Sequence, residues 1–280
     1  MKRIFLLLVI LCPLLLSAQV SITLLGGISN YQGDLQEKRF TTAQSHGAAG
    51  LGLQYDFNPW IALRAGALYA KVSGDDKTAT DPLLLARNLN FTSKILEGNL
   101  LLELRLLDID RHRFTPYVFG GIAVFGFDPY TNDSTGTRYY LQPYTTEGVA
   151  YQRTRLAFPF GGGIKFKVSD RVLLGYEIGL RKTNTDYLDD VSNRYIDHDV
   201  LLAAKGAKAV ELAYRGGELK GGNPVYPAAG TKRGGSEFND WYYIQGITLT
   251  YRIGQLPFGK GNKTGRSRDG SELACPKNVY

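Results

Sequence analysis

The stretch from Trp241 to Gly254 limits the possible folds of this chain more than any other. Its residues alternate between two faces, with the period of two that an extended strand imposes. One face is apolar and carries Tyr243, Ile247, Leu249, Tyr251 and Ile253; the other is more polar and carries Tyr242, Gly246, Thr248, Thr250 and Arg252. An apolar face with aromatic residues near both ends suits a strand with lipid outside and a filled or wet lumen inside. We interpret this stretch as the closing strand of a membrane β-barrel.

The N-terminus, residues 1–18, has the form of a secretory signal peptide. Two basic residues precede an apolar run from Ile4 to Leu16, and Ser17-Ala18 supplies a small-residue cleavage site before Gln19. The run is short for a membrane-spanning helix, and no stop-transfer segment follows it. We therefore expect cleavage before Gln19, with Cys12 lost along with the signal.

Composition favours strands over membrane helices in the rest of the chain. No later segment is long and apolar enough for a spanning helix, while 33 Gly, 18 Tyr and 13 Phe in 280 residues suit strands, tight turns and aromatic girdles. Removal of Lys2 and Arg3 reduces the formal charge from +7 to 7 − 2 = +5. The remaining basic residues form no patch interleaved with stacking aromatics, so we expect no nucleic-acid partner.

The mature chain contains eight strand candidates, each near the length that crosses a bilayer when tilted. They are Val20 to Ile28, Ala49 to Phe57, Ile61 to Lys71, Ser93 to Leu107, Thr115 to Phe127, Leu156 to Val168, Val172 to Arg181 and Trp241 to Ile253. Three connections are short: Asn58-Pro59, Asp108 to Arg113 and Ser169 to Arg171. Four are long: Gln32 to Ala48, Val72 to Thr92, Asp128 to Arg155 and Lys182 to Asp240.

Outer-membrane barrels place short turns in the periplasm and long loops outside the cell. The alternation therefore predicts an all-β fold, an eight-stranded antiparallel transmembrane β-barrel over residues 19–254. An even number of strands places both termini in the periplasm, so residues 255–280 form a periplasmic C-terminal tail. The expected location is the outer membrane, with its lipids as a partner.

The inward faces of the predicted strands carry charges of both signs. The set is Arg64, Glu97, Glu103, Arg105, Lys165, Glu177, Arg181 and Arg252. A barrel of eight strands is only wide enough for its side chains to fill, and unpaired buried charge is costly. We expect these residues to pair across the lumen as a plug, whereas rings of one sign would indicate an ion pathway.

Catalytic patterns are weak. The three histidines, His46, His112 and His198, are spread over two predicted outer loops and one periplasmic turn. Ser45 adjoins His46, but neighbours on a strand point to opposite faces and no orienting carboxylate lies nearby. We predict no enzymatic activity and no cofactor.

The loop after the seventh strand is rich in aspartate. Asp186, Asp189, Asp190, Asp197 and Asp199 lack the spacing of a calcium-binding loop, so we predict no metal site. We expect instead that a motif of Asp186, Tyr187, Asp189 and Asp190 folds the root of this loop back onto the barrel rim through carboxylate-to-amide hydrogen bonds.

Three segments and the tail carry a resemblance to a known family. They are Asn30 to Leu35 (NYQGDL), Thr185 to Tyr195 (TDYLDDVSNRY), Asn239 to Tyr243 (NDWYY) and Cys275-Pro276-Lys277. With the predicted topology they resemble the PorG family, the small outer-membrane barrel of the type IX secretion and gliding apparatus of Bacteroidetes. The resemblance extends over nearly the whole mature chain.

This resemblance implies a non-enzymatic anchor for a periplasmic ring that a PorK-like lipoprotein and a PorN-like protein build. In the tail, Gly and basic residues suggest a tether, and Cys275 has no partner cysteine in the mature chain. We expect Leu273, Cys275, Pro276 and Lys277 to contact the ring, with Cys275 forming an intermolecular disulfide with, or packing beside, a cysteine of the lipoprotein. A free or barrel-packed Cys275 remains the alternative.

A second interpretation is a general structural or porin-like barrel whose surface loops bind a ligand or adhere. It explains the barrel and the long loops equally well, but not the basic tail with its lone cysteine. Within the longest loop, Asp199 to Arg215 has the pattern of a short surface helix. Long loops often carry binding function.

Overall fold

The structure, a computed structural model, describes residues 19–36, 38, 41 and 44–255. The predicted signal peptide and the tail beyond Gln255 lie outside the described residues. The strands are β1 (Gln19–Gln32), β2 (His46–Asp56), β3 (Ile61–Asp75), β4 (Asn90–Arg105), β5 (Phe114–Asn132), β6 (Arg138–Tyr140), β7 (Thr154–Lys167), β8 (Val172–Thr183) and β9 (Trp241–Gln255). The helices are α1 (Pro82–Arg87), α2 (His198–Lys205) and α3 (Ala207–Ala213).

Eight of these strands close into a barrel. The order β4-β3-β2-β1-β9-β8-β7-β5 continues with a pairing between β5 and β4, and every neighbouring pair is antiparallel. The first and last strands pair, as the closing role predicted for β9 requires. β6 is a short strand that pairs with the outer end of β5. The predicted closed eight-stranded antiparallel barrel is confirmed.

Strand ends differ from the prediction mainly on the side of the long loops. β3 continues past Lys71 to Asp75, and β5 continues past Phe127 to Asn132. Both extensions stay in the sheet, because β4 begins at Asn90 and pairs with each of them. Hydrogen bonding therefore carries the barrel wall beyond the segments that periodicity identifies, and the loops are correspondingly shorter.

The outward residues form an apolar band, as the alternation predicts. Leu51 and Ile122 at its middle are 59% and 58% exposed, and Trp60 is exposed near the short turns. One residue of the predicted apolar face behaves differently. Tyr243 is buried, because its hydroxyl donates to the carbonyl of Thr41 in the first long loop at 2.8 Å.

Inward-facing glycines make room for large lumen side chains. A Cβ at Gly161 would lie 2.9 Å from Phe119 Cζ, and one at Gly163 would lie 2.8 Å from Tyr117 Cζ. Both contacts are closer than real Cβ atoms tolerate. The lumen of so narrow a barrel is filled only because part of its wall lacks side chains.

The main hydrophobic core lies in the half of the barrel next to the long loops and continues into those loops. We call the folded loops at this end, residues 76–89, 133–153 and 184–240, the cap. Barrel residues of the core include Tyr31, Phe91, Ile95, Phe125, Phe127, Tyr242 and Ile244, and cap residues include Leu89, Leu141, Tyr151, Leu188, Val191 and Leu212. Barrel and cap therefore share one core.

The cap contains all three helices of the described chain. α2 and α3 occupy the segment where one short helix was expected, with Gly206 between them at φ 82°. Asp197 caps α2 by accepting hydrogen bonds from the amides of Asp199 and Val200 at 3.0 and 3.2 Å. No helix among the described residues is long and apolar enough to cross a bilayer.

Candidate functional site

The lumen near the short turns holds a group of charges centred on Glu103. Lys165 Nζ lies 2.6 and 2.7 Å from the two carboxylate oxygens of Glu103, and Arg105 Nε lies 3.0 Å from one of them. Arg105 also donates to Asp56 at 2.6 Å, and Lys165 donates to Gln54 at 3.1 Å. Each charge in this group meets an opposite charge within hydrogen-bond distance, as burial requires.

A second pair crosses the middle of the lumen. Arg64 donates two hydrogen bonds to the carboxylate of Glu177, at 2.7 and 3.0 Å. Tyr117 donates a third to Glu177 at 2.8 Å, and the Arg64 guanidinium lies 5.3 Å from the centre of the Phe119 ring. The two-pronged geometry suits Arg to a buried carboxylate.

The third group lies closer to the cap. Arg181, which is 2% exposed, places Nε 3.4 Å from Glu97 and donates to the carbonyl of Gly179 at 2.7 Å. Tyr242 donates to the same Glu97 carboxylate at 2.6 Å. Above this group the lumen is filled by the apolar core.

These three groups balance in charge. Four cations, Arg64, Arg105, Lys165 and Arg181, face four carboxylates, Asp56, Glu97, Glu103 and Glu177. The cavity among Arg64, Glu177 and Arg181 has a volume of only about 40 Å³. That is room for about three water molecules.

The structure brings seven of the eight predicted lumen residues together and separates the last. Arg252 pairs with Asp110 of a short turn at 2.7 Å, outside the predicted set, because it lies at the mouth of the barrel. The sequence analysis missed Asp56. Alternation along β2 places Asp56 and Gln54 on the inward face, so the signal was present.

The three resembling segments meet at one point between barrel and cap. Tyr31, in the first segment, donates its hydroxyl to Asp189 of the second and to Asp240 of the third, the latter at 3.2 Å. Asp240 accepts from the amide of Leu188 at 2.9 Å, and Asp189 accepts from the amide of Val191 at 2.9 Å. Burial and neighbouring carboxylates raise the pKa of both aspartates well above the ordinary value.

The residues of the loop motif, Asp186, Tyr187, Asp189 and Asp190, differ in burial. Asp190, at φ 68°, accepts from Tyr151 at 2.7 Å and from Thr146 at 2.5 Å, and burial raises its pKa to about 6. Tyr187 stacks on Tyr151 with ring centres 4.8 Å apart. Asp186 is half-buried, its Oδ2 is buried without a hydrogen-bond partner, and burial raises its pKa to about 7. Asp189 thus makes an amide bond of the predicted kind, whereas Asp190 bonds to hydroxyls.

Two arginines that the sequence analysis missed hold the cap loops together. Arg233 donates to Glu147 at 2.9 Å and to the carbonyl of Asp190 at 2.7 Å. Arg87 binds both carboxylate oxygens of Asp76 at 2.6 and 2.8 Å and also donates to the carbonyl of Arg233. No local pattern marks these residues: Asp76 is 11 residues before Arg87 in the same loop, and Glu147 belongs to a different loop from Arg233.

In the part of the chain that the structure describes, no histidine is hydrogen-bonded both to a carboxylate and to a hydroxyl; His198 Nδ1 lies 2.8 Å from the exposed carboxylate of Asp199. His46 Nε2 lies 2.8 Å from Ser73 Oγ, a pair that the sequence analysis did not anticipate, while Ser45 bonds to Asn30. Among the described residues no carboxylate hydrogen-bonds to the other ring nitrogen of His46, the third element that activates such a pair. His112 and His198 lie in separate loops, and the described residues hold no group of three or more acidic, His or Cys side chains suited to a metal.

Comparison with known proteins places the chain in a family without an assigned function. A family profile described as "Domain of unknown function (DUF6089)" matches residues 1–204. A search of the curated proteins finds no match.

Similar solved structures are outer-membrane barrels. Neisserial surface protein A is 7% identical, with 84% of this chain and 99% of that chain covered at a TM-score of 0.43. Ail of Yersinia pestis is 10% identical, with 85% and 99% covered at 0.40. The outer membrane protease OmpT of Escherichia coli is 9% identical, with 85% and 96% covered at 0.31. What these proteins share with the chain is barrel architecture, which the strand pairing above already establishes.

Proposed function

We propose that this chain, which belongs to the DUF6089 family, is a non-enzymatic, non-conducting outer-membrane barrel of the type IX secretion system. In this role it anchors a periplasmic ring of PorK-like and PorN-like proteins to the outer membrane. The resemblance of three segments and the tail to the PorG family supports the identity of the system. Gliding motility would depend on it in an organism that glides.

The observation that carries the non-conducting part is the filled lumen. Four buried cations face four buried carboxylates across the barrel, and the cap core closes its outer end. A porin needs a polar, water-filled lumen, whereas the charged side chains here pair with one another and the cavity among Arg64, Glu177 and Arg181 has only about 40 Å³. A barrel that passes no solute is suited to anchoring or binding another molecule.

The proposed ring would contact the barrel at the end that carries the short turns. Both described ends of the chain, Gln19 and Gln255, lie there, beside the turn between β7 and β8. Tail residues Leu273, Cys275, Pro276 and Lys277 lie outside the described residues, and their contact with the ring is a proposal from the sequence. An oxidising periplasm would allow Cys275 to form a disulfide with a ring component.

The experiment is purification of the tagged full-length protein from detergent-solubilised outer membranes. We expect the ring lipoprotein and its partner to co-purify, and deletion of residues 273–280 to reduce their yield. Asp199→Asn, an exposed change in the cap, is the matched control and should leave the yield unchanged. Absence of both ring proteins from the wild-type sample would refute the proposed anchor.

Cys275→Ser tests the covalent part separately. After thiol trapping, non-reducing electrophoresis of whole cells should show an adduct that reductant abolishes and that Cys275→Ser lacks. A wild-type protein that migrates only as a monomer rules out the disulfide. Co-purification in the same cells would still support the anchor, so the two ideas fail independently.

The alternative is an outer-membrane barrel whose surface loops bind a ligand or another surface. Its support is the folded cap, which shares a core with the barrel and has an open cleft. Loss of the chain would then impair attachment or ligand uptake while export of type IX substrates continues. Measuring secreted cargo in a deletion strain separates the two functions.

A further inference from the structure

A large cavity lies where the barrel wall meets the cap. It is an open cleft of about 790 Å³. The three resembling segments each contribute to its walls: Gln32, Gly33 and Asp34 from the first, Asp186, Asn193 and Arg194 from the second, and Asn239 and Trp241 from the third. Residues 232–238, which precede the third segment, complete the walls. The same segments whose buried side chains meet at Tyr31 thus turn other side chains toward a common opening.

The base of the cleft belongs to the outward face of the barrel. Leu180 of β8 and Trp241 at the start of β9 lie diagonally on neighbouring strands, since Trp241 is opposite Lys182, two residues beyond Leu180. Trp241 is held edge-on against Phe160, with ring centres 5.8 Å apart. Aromatic residues at this position of a membrane barrel mark the boundary between lipid and water. The cleft therefore opens at the outer surface of the membrane.

The walls combine an aromatic surface with many polar groups. Phe238, which is 79% exposed, and Trp241 supply aromatic rings. Amide side chains come from Gln32, Gln36, Asn193 and Asn239, carboxylates from Asp34, Asp186 and Glu237, and cations from Arg194 and Lys232. Such walls suit a ligand with an apolar ring face and many groups that both donate and accept hydrogen bonds.

Asp186 supplies a carboxyl group on the wall of the cleft whose hydrogen bonding is incomplete. Its Oδ2 atom is buried and has no hydrogen-bond partner, although an unmet buried acceptor is costly. Nearby Asp34 accepts from the amide of Gly235 at 3.0 and 2.9 Å and so remains in place beside the opening. Asp186 as a whole is half-buried and lines the cleft, so the part of its carboxyl that remains accessible can accept a hydroxyl donor from a ligand. With the pKa of Asp186 at about 7, the two cations and the carboxyl groups of the walls leave no excess of positive charge that would favour a phosphate or another strong anion.

We propose that this cleft binds a saccharide, with the sugar face on the aromatic rings and its hydroxyls on Asp186 and the surrounding amides. Two sources have this chemistry: the sugar portion of an outer-leaflet glycolipid, and a free or surface-borne oligosaccharide. The position at the membrane surface gives access to both. This inference goes beyond the proposed anchoring role, which does not depend on it.

The two tryptophans of the chain permit a direct assay. Trp60 lies at the short-turn end and Trp241 in the cleft, so Trp60→Phe leaves a single fluorophore at the site. Purified full-length Trp60→Phe in detergent would be titrated with oligosaccharide released from the glycolipid of the producing bacterium. A separate panel would contain malto-, cello- and chito-oligosaccharides. Intact glycolipid in nanodiscs gives the third arm.

We expect the fluorescence of Trp241 in Trp60→Phe to change saturably as saccharide is added. In Trp241→Phe, which keeps Trp60, we expect the tryptophan fluorescence to stay constant. Asp186→Ala should weaken binding about tenfold, the scale of one lost hydrogen bond to a charged group. Asp199→Asn, an exposed aspartate change outside the cleft, should bind like wild type. Heat-modifiable migration on gels would verify that each variant is folded.

The arms separate the sources. Binding of the released oligosaccharide and the intact glycolipid assigns the membrane's own sugar, whereas binding of the neutral panel alone assigns a free glycan; both support a saccharide cleft. No saturable binding in any arm overturns the proposal. Binding that Asp186→Ala and Trp241→Phe/Trp60→Phe leave unchanged, measured by calorimetry, also overturns it because the saccharide would then sit elsewhere.

Discussion

The pair between Arg64 and Glu177 provides a quantitative test of the filled lumen. Both side chains are buried, and two hydrogen bonds of 2.7 and 3.0 Å join them. Replacing Arg64 with Met leaves the carboxylate with Tyr117 as its donor, at 2.8 Å. Removing one partner of a buried pair costs about 3–5 kcal/mol. Because Tyr117 remains, we expect Arg64→Met to lower the free energy of unfolding by about 3 kcal/mol, at the low end of that range.

A second substitution should recover part of this loss. Arg64→Met with Glu177→Gln removes both charges and keeps an acceptor for Tyr117, and a neutralised pair is often close to the wild type in stability. We expect an interaction energy of about 2 kcal/mol between the two changes. Lys167→Met is the control: Lys167 pairs with Asp170 at a similar 2.9 Å, but Asp170 is 94% exposed. Its loss should cost about 1 kcal/mol or less.

The assay is urea unfolding of the purified full-length protein in phospholipid vesicles, followed by tryptophan fluorescence. Heat-modifiable gel migration would report the folded fraction independently. An Arg64→Met variant no less stable than Lys167→Met would refute the argument that burial makes this pair strong. A double variant no more stable than Arg64→Met would refute the claim that the unpaired Glu177 charge is the cause.

Three further predictions concern the pore, the loop root and pH. Purified protein in planar bilayers should give no steady conductance, and large, stable single-channel currents would instead support the porin-like alternative. Replacing Asp189 and Asp190 together with Ala should speed proteolysis of residues 184–240 in intact cells without preventing insertion of the barrel. The reason is that hydrogen bonds to Tyr31, Tyr151 and the Val191 amide are lost. An unchanged rate of cleavage would contradict the assignment. The pKa values of Asp186 and Asp190, about 7 and about 6, lie above that of a carboxyl group in the unfolded chain, about 4. The stabilisation of the cap by these two protonated groups is therefore complete below about pH 4 and is lost as the pH rises through 6 to 7. Hydrogen exchange of the 184–195 segment, corrected for intrinsic rates, should therefore be faster at pH 8 than at pH 5, with a smaller difference in Asp186→Asn; equal protection at both values would exclude this linkage.

Much of the barrel was predictable because its signals are local. Alternation along each strand assigns residues to lipid or lumen, and short turns against long loops give the topology. Those signals are lost where the loops cover the barrel or where the outward residues of a strand become polar. At the ends of β3 and β5 next to the long loops the strands stay paired, although their outward residues Lys71, Ser73, Asp75 and Asp128 are polar. The first long loop contacts Tyr243, which is buried, so neither region follows the pattern of an apolar outward face.

The candidate site was predictable only in its parts. The sequence analysis identified Asp186, Asp189 and Asp190 as a loop motif and expected amide bonds, but it did not anticipate the hydroxyls of Tyr31, Thr146 and Tyr151. Those partners lie in β1 and in another cap loop. Loop contacts of this kind depend on how separate segments pack, for which a single sequence offers no periodic signal.

The sequence by itself determined a strand-rich chain with an apolar outer face, a charged inner face and alternating loop lengths, since each follows from neighbouring residues. Only the tertiary structure decided which charges pair, that Arg252 turns to Asp110, and that segments 158 and 209 residues apart meet at Tyr31. The physical reason is closure. When the first strand pairs with the last, the barrel brings side chains from distant segments within hydrogen-bond distance, and burial then requires each charge to find the partner that geometry supplies.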